Sequence, residues 1–466
     1  MKKLNVLIAV ALILLCAAGW FSMVSQKVSE NDAYEQYIAD ADSWAERGLY
    51  QRAIASYKKA LAEEPTEELY EKAVRAYQAR YKEAPEDTLD EYMEFLEEAV
   101  RDYPANQLCV DSLTEFYLQE ESYKELYTCL AAAVENGYDT APVHAKLLGA
   151  RYHFTLRRNE YTGLKQTTDG DVFVAARNGG WNLYSTEDGY LMSSEHGYMS
   201  QCGKDEILVV TGEDSRLMKA DGMVLGIFEN IVTDAGIYAE GLVPASFGKT
   251  YAYYNEFAEE QFGGYEMAGM FQNGFAAVKQ GSQWGLVDTA GEEASDAFDE
   301  IVLDHLGRYI VDDMILVKES DNSYALYDEV WKLKATLECS DADQYTADGL
   351  IAVCKNGKWG YMNAEGEMVI DPAYEQARSF SNGLAAVCKN GLWGFIDREN
   401  HLVINCQFAN VGYMNANGIC PVQINIPQAE TEESAEESTD EETEQQESEL
   451  WQLLKLTNGI IADQAE

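Results

Sequence analysis

The sequence predicts a multidomain α + β protein made of a membrane helix, a section of helical hairpins and an all-β repeat array, in that order. The chain opens with a nearly continuous apolar stretch of bilayer length. Small and apolar residues then recur at helical spacing, and about the last two thirds of the chain repeat one β-strand pattern. With 466 residues, the chain is also too long for one ordinary domain.

The charge of the chain restricts its partners. It contains 34 basic and 81 acidic residues, which gives a formal net charge of −47. Nucleic acid phosphates and anionic lipid repel such a chain, so we predict no nucleic acid partner. Acidity on this scale suits a soluble surface, a basic partner or a cationic ligand.

Residues 1–26 are predicted to form a transmembrane signal anchor. Lysines at positions 2–3 precede an apolar run over residues 4–24, which is long enough to cross a bilayer as a helix. The lysines place the N-terminus inside and the acidic remainder outside. This predicts a single-pass protein of the cell membrane with an extracytoplasmic bulk. The alternatives are a secreted protein, cleaved near residues 17–19, and a lipoprotein modified at Cys16.

Nine cysteines in an exported chain raise the question of disulfides. Their number is odd, they are spread over the whole chain, and they form no Cys-x-x-Cys pair. Cys354 and Cys388 occupy the same position in successive repeats, at the end of an apolar strand, where a small buried side chain fits. We therefore predict mostly core thiols, with Cys109 and Cys129 as the one pair to test.

Residues 34–155 carry the pattern of paired helices. Residues 44–61 have helical periodicity, Gly48 marks a turn within them, and Pro65 ends the second helix. This stretch resembles a tetratricopeptide repeat through Gly48, Tyr50, Ala53, Tyr57, Ala60 and Pro65. Two weaker copies follow, one with Tyr92, Leu96, Ala99 and Pro104 and the other with Tyr123, Leu126, Leu130, Ala133 and Tyr138. The resemblance implies a groove that binds peptide segments, and a spacer or docking role is the alternative.

Residues 160–466 follow the period of a β-strand. The segment 349–361 returns almost unchanged as residues 383–395, and a shorter copy starts at Gly274. In each copy an apolar strand leads through a turn to a second strand, and Asn-Gly in the two longest copies is a strong hairpin signal. Each unit is therefore predicted to be a small antiparallel meander.

These units resemble the WG repeat. The specific matches contain Trp284-Gly285, Trp359-Gly360 and Trp393-Gly394, whereas Trp181 is followed by Asn182. Degenerate units are predicted around Leu217, Tyr251 and Tyr324. The resemblance implies a binding module and assigns no catalytic residue. The strict repetition of tryptophan predicts core packing between sheets, and the glycine after it permits close approach of a neighbouring backbone.

About eight such units favour a propeller-like ring, with an open β superhelix as the alternative. The chain ends near residues 460–461, after a predicted third strand, and residues 161–164 resemble the missing final segment of that unit. Within the last unit, residues 428–449 carry eleven acidic residues and no basic one. We predict a disordered acidic insertion in a hairpin there, because the run is too polar to order itself.

No catalytic, cofactor-binding or metal-binding residue is predicted, and the ligand-binding residues stay unassigned. Phosphate-binding glycine loops, zinc-binding helices and nucleophile elbows are absent from the sequence. Its histidines, at positions 144, 153, 196, 305 and 401, do not cluster, and His401 is expected to be exposed in a turn. The acidic pairs Asp312-Asp313, Asp299-Glu300 and Asp169 with Asp171 are expected by chance at this acid content.

The predicted function is interaction: a membrane-anchored extracytoplasmic scaffold that binds a protein or a cell-envelope polymer through its repeats, without a cofactor and without catalysis. One alternative is a hydrolase of extracellular polymers, with carboxylates gathered at the mouth of the ring. Another is a mechanical spacer whose repeats have no specific binding surface.

Overall fold

The computed structural model describes residues 33–168, 170–187, 196–295, 297–319, 323–424 and 450–460. It divides between Arg151 and Tyr152 into a helical unit and a β unit. The predicted anchor at residues 1–26 and the predicted acidic insertion at residues 428–449 lie outside the described residues. No helix within these described ranges is long and apolar enough to cross a membrane.

The helical unit is a series of antiparallel helices. They are α1 (residues 33–46), α2 (Tyr50–Glu63), α3 (Glu67–Glu83), α4 (Pro85–Asp102), α5 (Gln107–Gln119), α6 (Tyr123–Glu135) and α7 (Ala141–Arg151). From α2 onward, each helix packs against the next. Gly48 has a φ of +74° at the turn between α1 and α2, and Ala53 and Ala60 are fully buried. The helical-hairpin prediction is therefore confirmed.

The β unit consists of eight small antiparallel sheets in the described residues. We call them blades 1 to 8. After β1 (Phe154–Leu156), blade 1 contains β2 (Gly163–Leu164), β3 (Val172–Arg177) and β4 (Gly180–Ser185). Blade 2 contains β5 (Tyr198–Met199), β6 (Ile207–Thr211), β7 (Ser215–Lys219) and β8 (Val224–Ile227). Blade 3 contains β9 (Asp234–Ala235), β10 (Val243–Ser246), β11 (Tyr251–Tyr254) and β12 (Glu260–Tyr265). Blade 4 contains β13 (Met267–Ala268), β14 (Phe275–Gln280) and β15 (Gln283–Asp288); blade 5 contains β16 (Glu300–Ile301), β17 (Met314–Lys318), β18 (Tyr324–Asp328) and β19 (Leu333–Leu337).

The remaining blades complete the array. Blade 6 contains β20 (Asp341–Ala342), β21 (Ile351–Lys355), β22 (Lys358–Met362) and β23 (Met368–Tyr374); blade 7 contains β24 (Gln376–Ala377), β25 (Ala385–Lys389), β26 (Leu392–Ile396) and β27 (Leu402–Phe408); blade 8 contains β28 (Asn410–Val411), β29 (Ile419–Ile424) and β30 (Leu450–Leu456), with β1 as its fourth strand. All three degenerate units predicted from the sequence are blades, because Leu217, Tyr251 and Tyr324 each lie in a middle strand.

The blades close into a ring. Tyr161 and Phe173 from the start of the ring share an apolar cluster with Ile419 and Leu453 from its end. The described residues thus form an eight-bladed β-propeller, which confirms the predicted ring over the open superhelix. The outermost strand of blade 8 is Phe154–Leu156, which pairs with β30.

The phase of the repeat also differs from the prediction. The short segment predicted to end each unit is the innermost strand of the following blade. Gln376–Ala377, for example, pairs with β25 through Cys388 and Val387 and not with β23. Residues 163–164 play the same part at the start of the ring, where they pair with β3.

The WG pair is explained by packing between and within blades. Trp284 is 5% exposed and shares a cluster with Ile301 and Ile315 of the next blade. A Cβ atom on Gly394 would lie 2.4 Å from the carbonyl oxygen of Ile404 on the bulged neighbouring strand, so only glycine fits there. Gly360 makes the same approach to β23.

Candidate functional site

Two of the acidic pairs that the sequence analysis attributed to chance, Asp312-Asp313 and Asp299-Glu300, lie near opposite ends of β17. Asp312 and Asp313 form an exposed turn with positive φ values just before β17. Glu300 opens the innermost strand of blade 5, and Asp169 lies outside the described residues. His401 is 58% exposed in its turn, as predicted, and its backbone N–H donates a 2.7 Å hydrogen bond to Asp397.

His401 also belongs to a group of metal-ligand types. Its imidazole and the carboxylates of Asp397 and Glu399 have ligand atoms within 4.8 Å of one another. The carboxylate of Asp397 already bonds both the backbone and the imidazole of His401, at 2.7 and 3.0 Å. These bonds account for the arrangement as a turn that joins two strands.

A pocket with both apolar and acidic lining residues lies where blades 2 and 3 meet. We call it the blade 2–3 pocket, and its volume is about 310 Å³. Its apolar walls come from the outermost strand of blade 2 and from two turns of blade 3. The residues that line it are Ile227, Glu229, Asn230, Phe247, Tyr254, Phe257, Ala258, Glu259 and Glu260.

A close backbone contact joins the two walls of this pocket. A Cβ atom on Gly226 of β8 would lie 2.2 Å from the backbone of Phe257, so the strand and the turn touch only because residue 226 is glycine. Ala258 holds the turn with a φ of +60°. Phe247 packs edge-on against Tyr254, with ring centroids 5.7 Å apart, and supports the floor.

Two large apolar side chains at this pocket face solvent. Ile227 is 58% exposed and Phe257 is 60% exposed. Phe247, which also lines the pocket, is 37% exposed. Single exposed apolar residues need no explanation, but several gathered at one concave site indicate a binding surface.

The rim of the pocket is acidic, and no basic residue lines it. Glu260 accepts a 3.1 Å hydrogen bond from the hydroxyl of Tyr254, and Glu259 accepts a 2.9 Å hydrogen bond from the side-chain amide of Asn255. Burial, together with the charges of Glu260 and Glu229, raises the pKa of Tyr254 above its usual value. The site therefore combines an apolar floor with a negative potential.

A second cluster of hydrogen-bonded residues lies at one end of the central channel of the ring, in the loops that follow the innermost strands. We call it the channel cluster. The hydroxyl of Tyr413, in blade 8, donates to both carboxylate oxygens of Asp343, in blade 6, at 2.8 and 2.7 Å. The backbone N–H of Ser379 donates to the same carboxylate at 2.7 Å. Asp304 accepts from the guanidinium of Arg308 at 2.6 Å. These carboxylates thus bond groups of the protein itself.

Sequence reasoning missed both features. The blade 2–3 pocket depends on Phe247 and Phe257, which belong to degenerate units without the WG pair. Their aromatic character is visible in the sequence, but nothing there indicates that blade 3 places them beside Ile227 of blade 2. The channel cluster joins residues of blades 6 and 8, which are not adjacent in the chain, so no local sequence pattern predicts it.

One comparison with known proteins identifies the repeat. The family model of the WG containing repeat matches residues 264–284, 332–359, 359–393 and 393–425. These residues include the three tryptophans named from the sequence, and the matched segments carry the WG containing repeat. No curated protein matches the chain in sequence.

Several solved structures are weakly similar to the chain, at low sequence identity. BamB from Moraxella catarrhalis is 8% identical with a TM-score of 0.45, over 65% of this chain and 100% of BamB. Hsv2 from Kluyveromyces lactis is 8% identical with a TM-score of 0.35, over 50% of this chain and 93% of Hsv2. KlAtg21, in its complex with the coiled-coil of AgAtg16, is 8% identical with a TM-score of 0.34, over 53% and 96%. Likenesses this weak carry no argument about function.

Proposed function

We propose that the protein is anchored in the cell membrane through residues 1–26 and binds a protein partner outside the cytoplasm through its propeller. Its work is scaffolding or recognition without catalysis. The observation that carries the proposal is the blade 2–3 pocket, where exposed apolar side chains from two blades surround a preformed cavity.

Other apolar side chains of the propeller are also exposed. Val330, Val369 and Leu402 are 73%, 50% and 47% exposed, but none of them lines the blade 2–3 pocket. The channel cluster supports a binding role too, because Asp343 and Asp304 accept hydrogen bonds from nearby protein donors. A hydrolase would require carboxylates that are available to a substrate.

Photo-crosslinking in native membranes tests the proposal. The full chain would carry a photoreactive amino acid in place of Phe257, or in place of Val369 on the outer strand of blade 6 as the matched control. We expect a discrete protein adduct from position 257 and not from position 369. Identical adducts at both positions, or none at position 257, would contradict binding at this pocket.

The anchor requires a separate measurement. If residues 1–26 span the membrane, alkaline carbonate washing should leave the full chain in the membrane pellet. Recovery of the chain in the supernatant, with or without a shortened N-terminus, would contradict the anchored form and favour secretion.

A further inference from the structure

We infer that the blade 2–3 pocket binds a protein segment in which one large apolar side chain is flanked by lysine or arginine. This inference rests on the proposed function and deepens it by naming the chemistry of the partner. The apolar side chain would enter between Ile227 and Phe257, while the flanking cations would lie against the glutamates of the rim.

The shape of the pocket selects the apolar anchor. Its walls are aliphatic on the blade 2 side, at Ile227, and aromatic on the blade 3 side, at Phe247 and Phe257. A cavity of about 310 Å³ is at the small end of ligand pockets, so it suits one or two side chains and not an extended apolar surface. Covering Ile227 and Phe257 removes exposed apolar area from water, which favours association.

The charges of the rim select the flanking residues. Glu229, Glu259 and Glu260 all line the pocket, and no lysine or arginine offsets them there. Glu259 and Glu260 each accept a hydrogen bond from a neutral neighbour, which orients the carboxylate without neutralising it. Opposite charges beside an apolar anchor speed association and fix the register of a bound segment.

The same charges disfavour other occupants. An acidic segment would place like charges together at close range, which opposes its binding. A purely apolar segment would leave the negative charges of the three glutamates without a cation beside them. A second copy of this chain also has a net charge of −47, so the two copies would repel each other.

Peptide binding to the full chain tests this chemistry directly. The probes are three fluorescent peptides: a central Phe between lysines, the same Phe between glutamates, and a central Ala between lysines. Anisotropy would measure the affinity of each, at low and at physiological salt. We expect the lysine-flanked Phe peptide to bind at least about tenfold more tightly than either of the others, and its affinity to fall with salt.

Variants assign the binding to this pocket. Phe257→Ser should weaken the lysine-flanked Phe peptide about tenfold, and the double change Glu259→Gln with Glu260→Gln should weaken it about fivefold and reduce its salt dependence. Val369→Ser, which alters a position on blade 6 that is 50% exposed, should leave the affinity unchanged. The glutamine variants retain the shape of the rim, and a thermal unfolding curve for each variant shows whether it is folded.

The outcomes separate this inference from the proposed function. Equal binding of the glutamate-flanked peptide, or equal losses in the Val369 variant, would overturn the inferred chemistry. A crosslinked partner at position 257, combined with no binding of the lysine-flanked peptide, would leave the proposed function standing and overturn the inference. Specific peptide binding without any cellular adduct would support the inference and count against the proposed function.

Discussion

The imidazole ring of His305 stacks on the phenol ring of Tyr413, with ring centroids 4.4 Å apart and an angle of 14° between the planes. The two residues belong to blades 5 and 8, so their contact crosses the end of the central channel. Gln344, from blade 6, holds the imidazole in place. Its side-chain oxygen accepts from the backbone N–H of His305 at 2.6 Å, and its amide nitrogen donates to Nδ1 at 2.6 Å.

This arrangement requires an unprotonated Nδ1, because a protonated ring nitrogen cannot accept the hydrogen bond from Gln344. Burial lowers the pKa of His305, and the nearby Arg308 adds to this effect, whereas Asp304 and Asp343 oppose it. Tyr413 is neutral in this range, because burial and Asp343 raise its pKa well above the usual value. The guanidinium of Arg378 lies over the ring of Tyr413, at 5.3 Å from its centroid.

We predict that acidic pH lowers the free energy of unfolding through His305, at the end of the central channel. The unfolded chain takes up a proton on His305 near its ordinary pKa of about 6.5, above the lowered pKa of the folded state. The contribution of this residue to stability is therefore complete above about pH 6.5 and is lost as the pH falls toward the folded pKa. Urea unfolding of the full chain at about pH 7.5 and about pH 5.5 would measure this loss.

The control for this prediction removes the titrating group. His305→Gln should show a smaller decrease in the free energy of unfolding between the two pH values than the unchanged protein does. His401→Gln, at an exposed turn, should retain the full decrease. If His305→Gln and the unchanged protein lose stability equally on acidification, then His305 does not control the effect.

Replacing the glycine of the WG pair by alanine should destabilise the protein in blade 7 and have little effect on stability in blade 4. Gly394→Ala would place a Cβ atom 2.4 Å from the carbonyl oxygen of Ile404, and we expect a loss of about 1–3 kcal/mol in the free energy of unfolding. Gly285→Ala meets only the side-chain oxygen of Ser295, at 3.7 Å, and should cost less than about 0.5 kcal/mol. Denaturant midpoints of the two variants provide the comparison. Equal losses would show that the bulged strand does not explain the glycine.

One carboxylate links three groups of the helical unit. Glu91 of α4 accepts hydrogen bonds from Lys58 at 3.0 Å, from Tyr77 at 3.0 Å and from Arg80 at 3.1 Å. Glu91→Ala should destabilise the helical unit by about 1 kcal/mol, a modest value because the cluster is partly exposed. Glu94→Ala, at an exposed position of the same helix, should be nearly neutral. Helical circular dichroism during thermal unfolding would reveal the difference.

The buried thiols should resist alkylation in the native protein. Cys109, Cys129, Cys202 and Cys420 are free and buried, and burial raises the pKa of each thiol to about 12. Since the thiolate is the reactive form, iodoacetamide at about pH 7.5 should label them only after unfolding. The partly exposed Cys354 should react earlier. A disulfide-linked peptide containing Cys109 and Cys129 would contradict this prediction, because the structure contains both as free thiols.

Much of the local architecture could be predicted from the residues themselves. Asn356 and Asn390 have φ values of +55° and +56° in the hairpin turns where Asn-Gly predicted them. Ala53 and Ala60 lie buried between helices, as their spacing predicted. Such features depend on neighbours in the chain, and a residue pattern repeated along the sequence records them.

The sequence by itself determined the order of the units, their type and the repetition of the β-meander. Only the tertiary structure decided that Phe154–Leu156 completes blade 8, that His305 reaches Tyr413, and that Ile227 and Phe257 face one pocket. The physical reason is the same in each case. These contacts join residues distant in the chain, and they exist because closing the ring brings particular edges and loops together. A strand of three residues or a single exposed aromatic carries no local signal of the partner that closure places beside it.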